Sequence, residues 1–224
     1  MCDKYFTDTN VGIAYTLYPD KFHPSVKQKI DNTEKALVWS SFTEYEFGKK
    51  FQEINDNIDD FFAEIQNVLA NNEVYSYDFF EKSVLRNTTD IEIDNHKKIK
   101  VLKFIWNSDK FNSMFPQSLS KLTCELMSCF NQEKNIFVGK MELFDCGRDN
   151  YKNFSTVLDK LKNQLDVHKP DYIIVIDADV FSSDEPIIFL TCDEELFLKI
   201  NNAGFLNIQG YELIKKANYS SLTN

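Results

Sequence analysis

The chain has little of what builds secreted, fibrous or membrane-spanning proteins. Its five cysteines, Cys2, Cys124, Cys129, Cys146 and Cys192, are odd in number and nowhere form a Cys-x-x-Cys pair. That argues against a disulfide framework and a structural zinc site, and a reducing cytoplasm is the expected home. Six Gly and five Pro are too few for long flexible linkers. No apolar run approaches the ~18 residues of a membrane-spanning helix. The opening Met1-Cys2-Asp3-Lys4 lacks the basic-then-apolar pattern of a signal peptide, so neither membrane nor export is expected. Positive charge is scarce too: 25 Lys and Arg against 35 Asp and Glu leave a net charge of −10. Broad binding along a nucleic-acid backbone is therefore disfavoured, whereas a local basic patch or metal-screened phosphate chemistry is compatible with it.

Apolar and aromatic side chains are plentiful. With 43% hydrophobic residues, 20 Phe, 10 Tyr and 2 Trp, the 224 residues can bury one large core. The organising stretch is Lys4 to Tyr15, where Tyr5-Phe6 reads as a buried strand and Val11 to Leu17 as the start of a helix. Asp8, flanked by Thr7, Thr9 and Asn10, then sits at the strand's carboxyl end, where open α/β sheets place their ligands. A carboxylate there is either a metal ligand or a helix cap.

A second strand is expected at 36–40, and apolar residues from Phe47 to Leu69 recur at three- and four-residue steps, predicting a long helix over 42–70. Helices are expected at 74–85, 99–106, 119–130 and 151–165, with a small hairpin around Gly139-Lys140. The run 172–181 is ambiguous in type, 186–190 reads as a buried strand, 205–208 as the last strand and 211–216 as a closing helix. Strands alternating with helices predict a three-layer α/β/α fold on a central parallel sheet. In that reading 1–70 and 151–224 form the core, and 71–150 is a mostly helical insertion.

Three strands end in polar residues: Thr7-Asp8-Thr9-Asn10, Ser40 to Glu46, and Thr191-Cys192-Asp193-Glu194-Glu195. In a parallel sheet these ends share one edge. Carboxylates gathered there repel one another unless cations sit among them, and an oxygen-rich site poor in histidine suits Mg²⁺ or Mn²⁺.

These motifs resemble the PIN-domain family of metal-dependent ribonucleases. Thr7-Asp8-Thr9-Asn10 before an apolar helix is similar to the family's opening motif. Ser40 followed by Glu46-Phe47 resembles its serine-to-Glu-Leu spacing, and Thr191-x-Asp193-x-Glu195-Leu196 its closing motif. Asp171 falls where the family's remaining acid lies. The resemblance covers roughly residues 4–50 and 168–216. It implies that Asp8, Glu46, Asp171 and Asp193 hold one or two metal ions and hydrolyse phosphodiester bonds of single-stranded or loop RNA. Asn10, Thr191 and Glu195 would then stand around them. Glu44 competes with Glu46 for its role, Asp171 and Asp193 could instead cap helices, and His168 lies near a site acid. A homodimer, a protein partner held through the insertion, and a non-catalytic module of the same fold are compatible with these motifs.

Two further signals stand apart. Lys97, Lys98, Lys100 and Lys103 beside Trp106 could grip single-stranded RNA, or could be the solvated face of an amphipathic helix. Asp177-Ala178-Asp179, after four apolar residues, resembles the Asp-x-Asp motif of nucleotide-sugar glycosyltransferases if the run is a strand.

Overall fold

Short runs rich in apolar residues suit strands, covered on both faces at the centre of a sheet and partly open at its edges. Five of them, β1 (Lys4–Thr7), β2 (Ala36–Ser40), β3 (Met141–Phe144), β4 (Ile187–Thr191) and β5 (Gly210–Leu213), form one parallel sheet of order β3-β2-β1-β4-β5. The structure is a computed structural model and describes residues 2–71, 74, 76–108, 116–145 and 154–217. Register is set by pairs such as Tyr5 with Leu37 on one side and Ile188 on the other.

Alternate residues point to opposite layers. Tyr5, Leu37, Trp39 and Leu190 face α1 (Thr9–Thr16), α2 (His23–Asp31), α3 (Ser41–Asn71), α4 (Tyr77–Asn87), α5 (Asn95–Trp106) and α6 (Pro116–Gly139). Phe6, Val38, Ile187 and Phe189 face α7 (Phe154–Asp159), the π-helical turn Lys160–Gln164 that continues it, α8 (Asp171–Ser182) and α9 (Glu194–Ile200). The three-layer α/β/α architecture expected from the alternation is what forms. Among the described residues no helix is long and apolar enough to cross a membrane.

The middle of the chain is more deeply built into this core than an appended insertion. No hairpin forms at Gly139-Lys140. Ile136 to Val138 finish α6, and Met141–Phe144 pairs in parallel with β2 as the sheet's edge strand. Tertiary packing decides this: Phe137 is fully buried among Tyr15, Trp39 and Phe47, with ring centroids 5.1, 5.7 and 5.8 Å away. The C-terminal reading also shifts. Residues 205–208 are not a strand, and β5 lies where a closing helix was expected. Its register is fixed by Glu212, which accepts a hydrogen bond from Tyr5 Oη at 2.8 Å and pairs with Lys29 at 2.5 Å.

The run 172–181 is helix, within α8. Residues two apart on a helix point about 200° apart, so Asp177 and Asp179 cannot chelate as they would on a strand. Both are fully buried, and Asp179 accepts a hydrogen bond from the Asn207 backbone N–H, pinning the loop before β5. The strand geometry behind the glycosyltransferase resemblance is absent.

Candidate functional site

The chain runs from β1 outward through β2 and β3, then crosses to the other side of β1 for β4 and β5. The strand order therefore reverses between β1 and β4, the point beyond whose carboxyl ends a parallel sheet leaves a crevice. Asp8 follows β1, and Thr191 ends β4. The backbone N–H of Asp8 still donates to Leu190 O at 3.0 Å, so the last rung of the ladder holds the acid against its neighbour strand.

Thr191 links two of the predicted acids. Its hydroxyl donates to Asp8 Oδ2 at 2.7 Å and accepts from the Asp193 backbone N–H at 2.9 Å. Asn10 adds its backbone N–H and side-chain amide to Asp8 at 3.3 and 3.4 Å. Asp8 is 1% exposed, and burial pushes its carboxyl above the ordinary range while Thr191 and Asn10 oppose the shift. Asp193 caps α9 by accepting from Leu196 N–H at 2.9 Å, so the capping role open in the sequence is realised here. Asp8 likewise caps α1 through Asn10 N–H.

Glu46 arrives from the second turn of α3, whose start is tied to the end of β2 by Ser40 Oγ accepting from Thr43 N–H at 3.1 Å. It is Glu46, not Glu44, that is buried, against the start of α1. Thr9 Oγ1 donates to Glu46 Oε2 at 2.5 Å, and Lys50 Nζ lies 2.8 Å from Oε1. Asp171 opens α8 without capping it. It is half-buried and has no hydrogen-bond or ion-pair partner among the described residues. Burial first, then the charges of Asp8, Asp193 and Glu46, push its carboxyl up to about 6, against the opposing pull of Lys50. All four predicted acids therefore share one electrostatic field. They do not form a finished coordination sphere, because among the described residues no three His, Cys, Asp or Glu side chains are gathered as a metal centre.

The other predicted residues fall elsewhere. Glu195 is exposed and pairs with Lys199 at 2.6 Å, and His168 is exposed with Asp166 at 3.8 Å. The lysines of α5 do not form one basic patch. Lys98 is 2% exposed and donates to the carbonyls of Thr88 and Ile91 at 2.5 and 2.9 Å. Lys97 pairs with Asp20 at 3.0 Å, and Lys100 donates to Asp20 O at 3.3 Å. Trp106 packs on Tyr77 and Phe80, and only Lys103 is exposed. A short apolar-and-lysine pattern does not distinguish a solvated lysine from one that satisfies buried carbonyls.

Lys50 and Thr9 are the site residues that the motif reading missed. The Glu46 to Lys50 spacing is the i,i+4 ion-pair signal of a helix and was available in the sequence. Beside the acids lies a groove of about 500 Å³ whose walls include Asn10, Asp193, Phe22, Lys21 and Lys97. A larger concavity of about 940 Å³ lies away from the acids, along α2 and β5, and its Lys29 and Glu212 neutralise each other.

Carboxylate oxygens alone suit a hard divalent cation. The unpartnered Asp171, its carboxyl pushed up by burial and then by three other acids, is the group that a cation would relieve. The donor type is the one Mg²⁺ or Mn²⁺ takes, but as placed the acids are not gathered as a metal centre among the described residues, and Glu46 is engaged by Thr9 and Lys50. Comparison with protein-family models, with curated proteins and with solved structures gave no match to this chain.

Proposed function

We propose that the β1–β4 crevice is a Mg²⁺- or Mn²⁺-dependent site that hydrolyses phosphodiester bonds of single-stranded or loop RNA. The observation that carries the reading is the unpartnered, half-buried Asp171 beyond the carboxyl edge of a parallel sheet, whose ionisation is disfavoured by burial and by the charges of Asp8, Asp193 and Glu46 from three other segments. RNA as the substrate rests on the motif resemblance to PIN-domain ribonucleases alone. Asp8, Asp171, Asp193 and, when free of Lys50, Glu46 would hold the cation, which when bound supplies a Lewis acid that activates water and offsets phosphoryl charge. The chain's own contribution is placement. Thr191 and Asn10 orient Asp8, Thr191 also fixes the Asp193 turn, and Thr9 sets Glu46 against the start of α1.

One observation favours a second reading, a non-catalytic module of the same architecture: Glu46 is already neutralised by Lys50, so the acid group is partly paired without metal. A single set of measurements separates the two. Mn²⁺ should raise the melting temperature of the wild type, and Asp8→Asn and Asp193→Asn should blunt that response. The wild type should cleave a generic fluorogenic RNA only with Mg²⁺ or Mn²⁺ present. Intact RNA together with melting curves indifferent to Mn²⁺ would leave the module reading standing.

A further inference from the structure

Among the described residues β5 is the last strand on its side of the sheet, with β4 as its strand neighbour. The ladder shows which of its backbone groups are spare. Ile214 N–H donates inward to Thr191 O at 2.9 Å, so Glu212 and Ile214 turn their peptide groups towards β4. Leu213 and Lys215, one step out of phase, turn theirs to the outer edge. On the first-layer side Glu212, Ile214 and Lys215 border the concavity of about 940 Å³ along α2, so the edge is open there. An open edge of this kind is a template for another strand. A chain of net charge −10 repels a copy of itself at long range, so self-association needs local charge complementarity. Lys216 supplies it, being exposed and without an ion-pair partner among the described residues, four positions after Glu212.

We propose that the open edge of β5 takes a second copy of this chain, its β5 antiparallel across a two-fold axis at Ile214, so that two sheets join into one. An interface of this type uses the same patch on both copies, and each contact occurs twice. With the axis at Ile214, Glu212 lies opposite Lys216 of the second copy, and Lys216 opposite that copy's Glu212. Leu213 then meets Lys215 of the second copy through the peptide groups that β4 leaves spare. An axis at Glu212 would instead set the two Glu212 carboxylates against each other, which like-charge repulsion disfavours. Lysine at a strand edge ordinarily repels an added strand. Here the two-fold places each Lys216 on a carboxylate. The dimer does not depend on what the β1–β4 crevice does.

The test is sedimentation equilibrium of the full chain, with hydrogen exchange followed at the Leu213 and Lys215 amides. At roughly 100 μM the wild type should be dimeric, and both amides should gain protection as concentration rises. Lys215→Pro removes one outward N–H per copy and spares every bond to β4, so it should weaken the dimer about tenfold. Lys216→Glu turns two attractive pairs into repulsive ones and should also cost about tenfold. Lys103→Glu makes the same charge change at an exposed position on α5 and should stay within about twofold of wild type. Melting curves establish that each variant is folded. A wild type that stays monomeric, or a dimer indifferent to both Lys215→Pro and Lys216→Glu, would overturn the proposal. So would protection of the two amides that does not vary with concentration, because the edge would then be covered within one chain.

Discussion

Asp171 gives the sharpest test of the electrostatic account. Its carboxyl ionises near 3.8 in an ordinary setting and at about 6 in the fold, because burial and the charges of Asp8, Asp193 and Glu46 disfavour the anion. A folded-state pKa above the unfolded one means that the folded chain binds the proton more tightly. The resulting stability is fully present below pH ~3.8 and is lost as pH rises through about 6. At ~1.36 kcal/mol per pH unit, the unscreened penalty on the ionised form is ~3 kcal/mol. Asp171 keeps some solvent contact, so screening reduces this to roughly 1–2 kcal/mol. Asp171→Asn removes the charge at nearly constant shape. In chelator-containing buffer at pH 7.5 it should be more stable than wild type by that amount, a rise of about 2–4 °C in melting temperature per kcal/mol. The advantage should shrink steadily towards pH 4, where the wild-type carboxyl is protonated too. Urea melts of the two proteins across pH 4 to 7.5 measure the difference directly, and titrating groups remote from the site cancel in it. A wild-type-to-variant gap that stays constant over that range would refute the shared-field description of the site.

Two predictions concern the scaffold. A Cβ at Gly12 would lie 2.9 Å from both Phe137 Cε1 and Phe47 Cδ2, so Gly12→Ala should cost ~1–3 kcal/mol of overpacking, offset by up to ~1 kcal/mol of helix propensity. A denaturation midpoint equal to or above wild type would show that α1 and α6 are not packed this closely. Lys98→Met should destabilise by about 1–3 kcal/mol, because the carbonyls of Thr88 and Ile91 lose a buried donor. Lys103→Ser, at an exposed position, should leave the midpoint within ~0.5 kcal/mol of wild type. Equal stabilities of Lys98→Met and wild type in urea would restore Lys98 to the solvated face.

The sequence by itself determined the layer architecture and the sheet edge beyond which Asp8 and Asp193 lie. Short apolar runs alternating with amphipathic helices have few arrangements other than a covered parallel sheet, and acids placed just after such runs must share its carboxyl end. The long period of α3, with Phe47, Phe51, Ile58, Phe61 and Ile65 on its buried face, was equally legible. Tertiary structure alone decided what local pattern leaves degenerate. Whether Met141–Phe144 closes a hairpin or adds an edge strand depends on the partner β2 offers, and the helical state of 136–138 on the aromatic pocket that receives Phe137. The α8 run could be strand or helix by composition, and burial of Asp177 and Asp179 within the second layer goes with the helix. The site divides in the same way. Asp8, Glu46, Asp171 and Asp193 are named by the motif resemblance, and their electrostatic coupling needed the fold to appear. That Lys98 serves two carbonyls and that Thr9 meets Glu46 depend on packing across elements, which no one-dimensional pattern specifies, whereas Glu46 with Lys50 and Glu195 with Lys199 are i,i+4 pairs that the sequence already spaced.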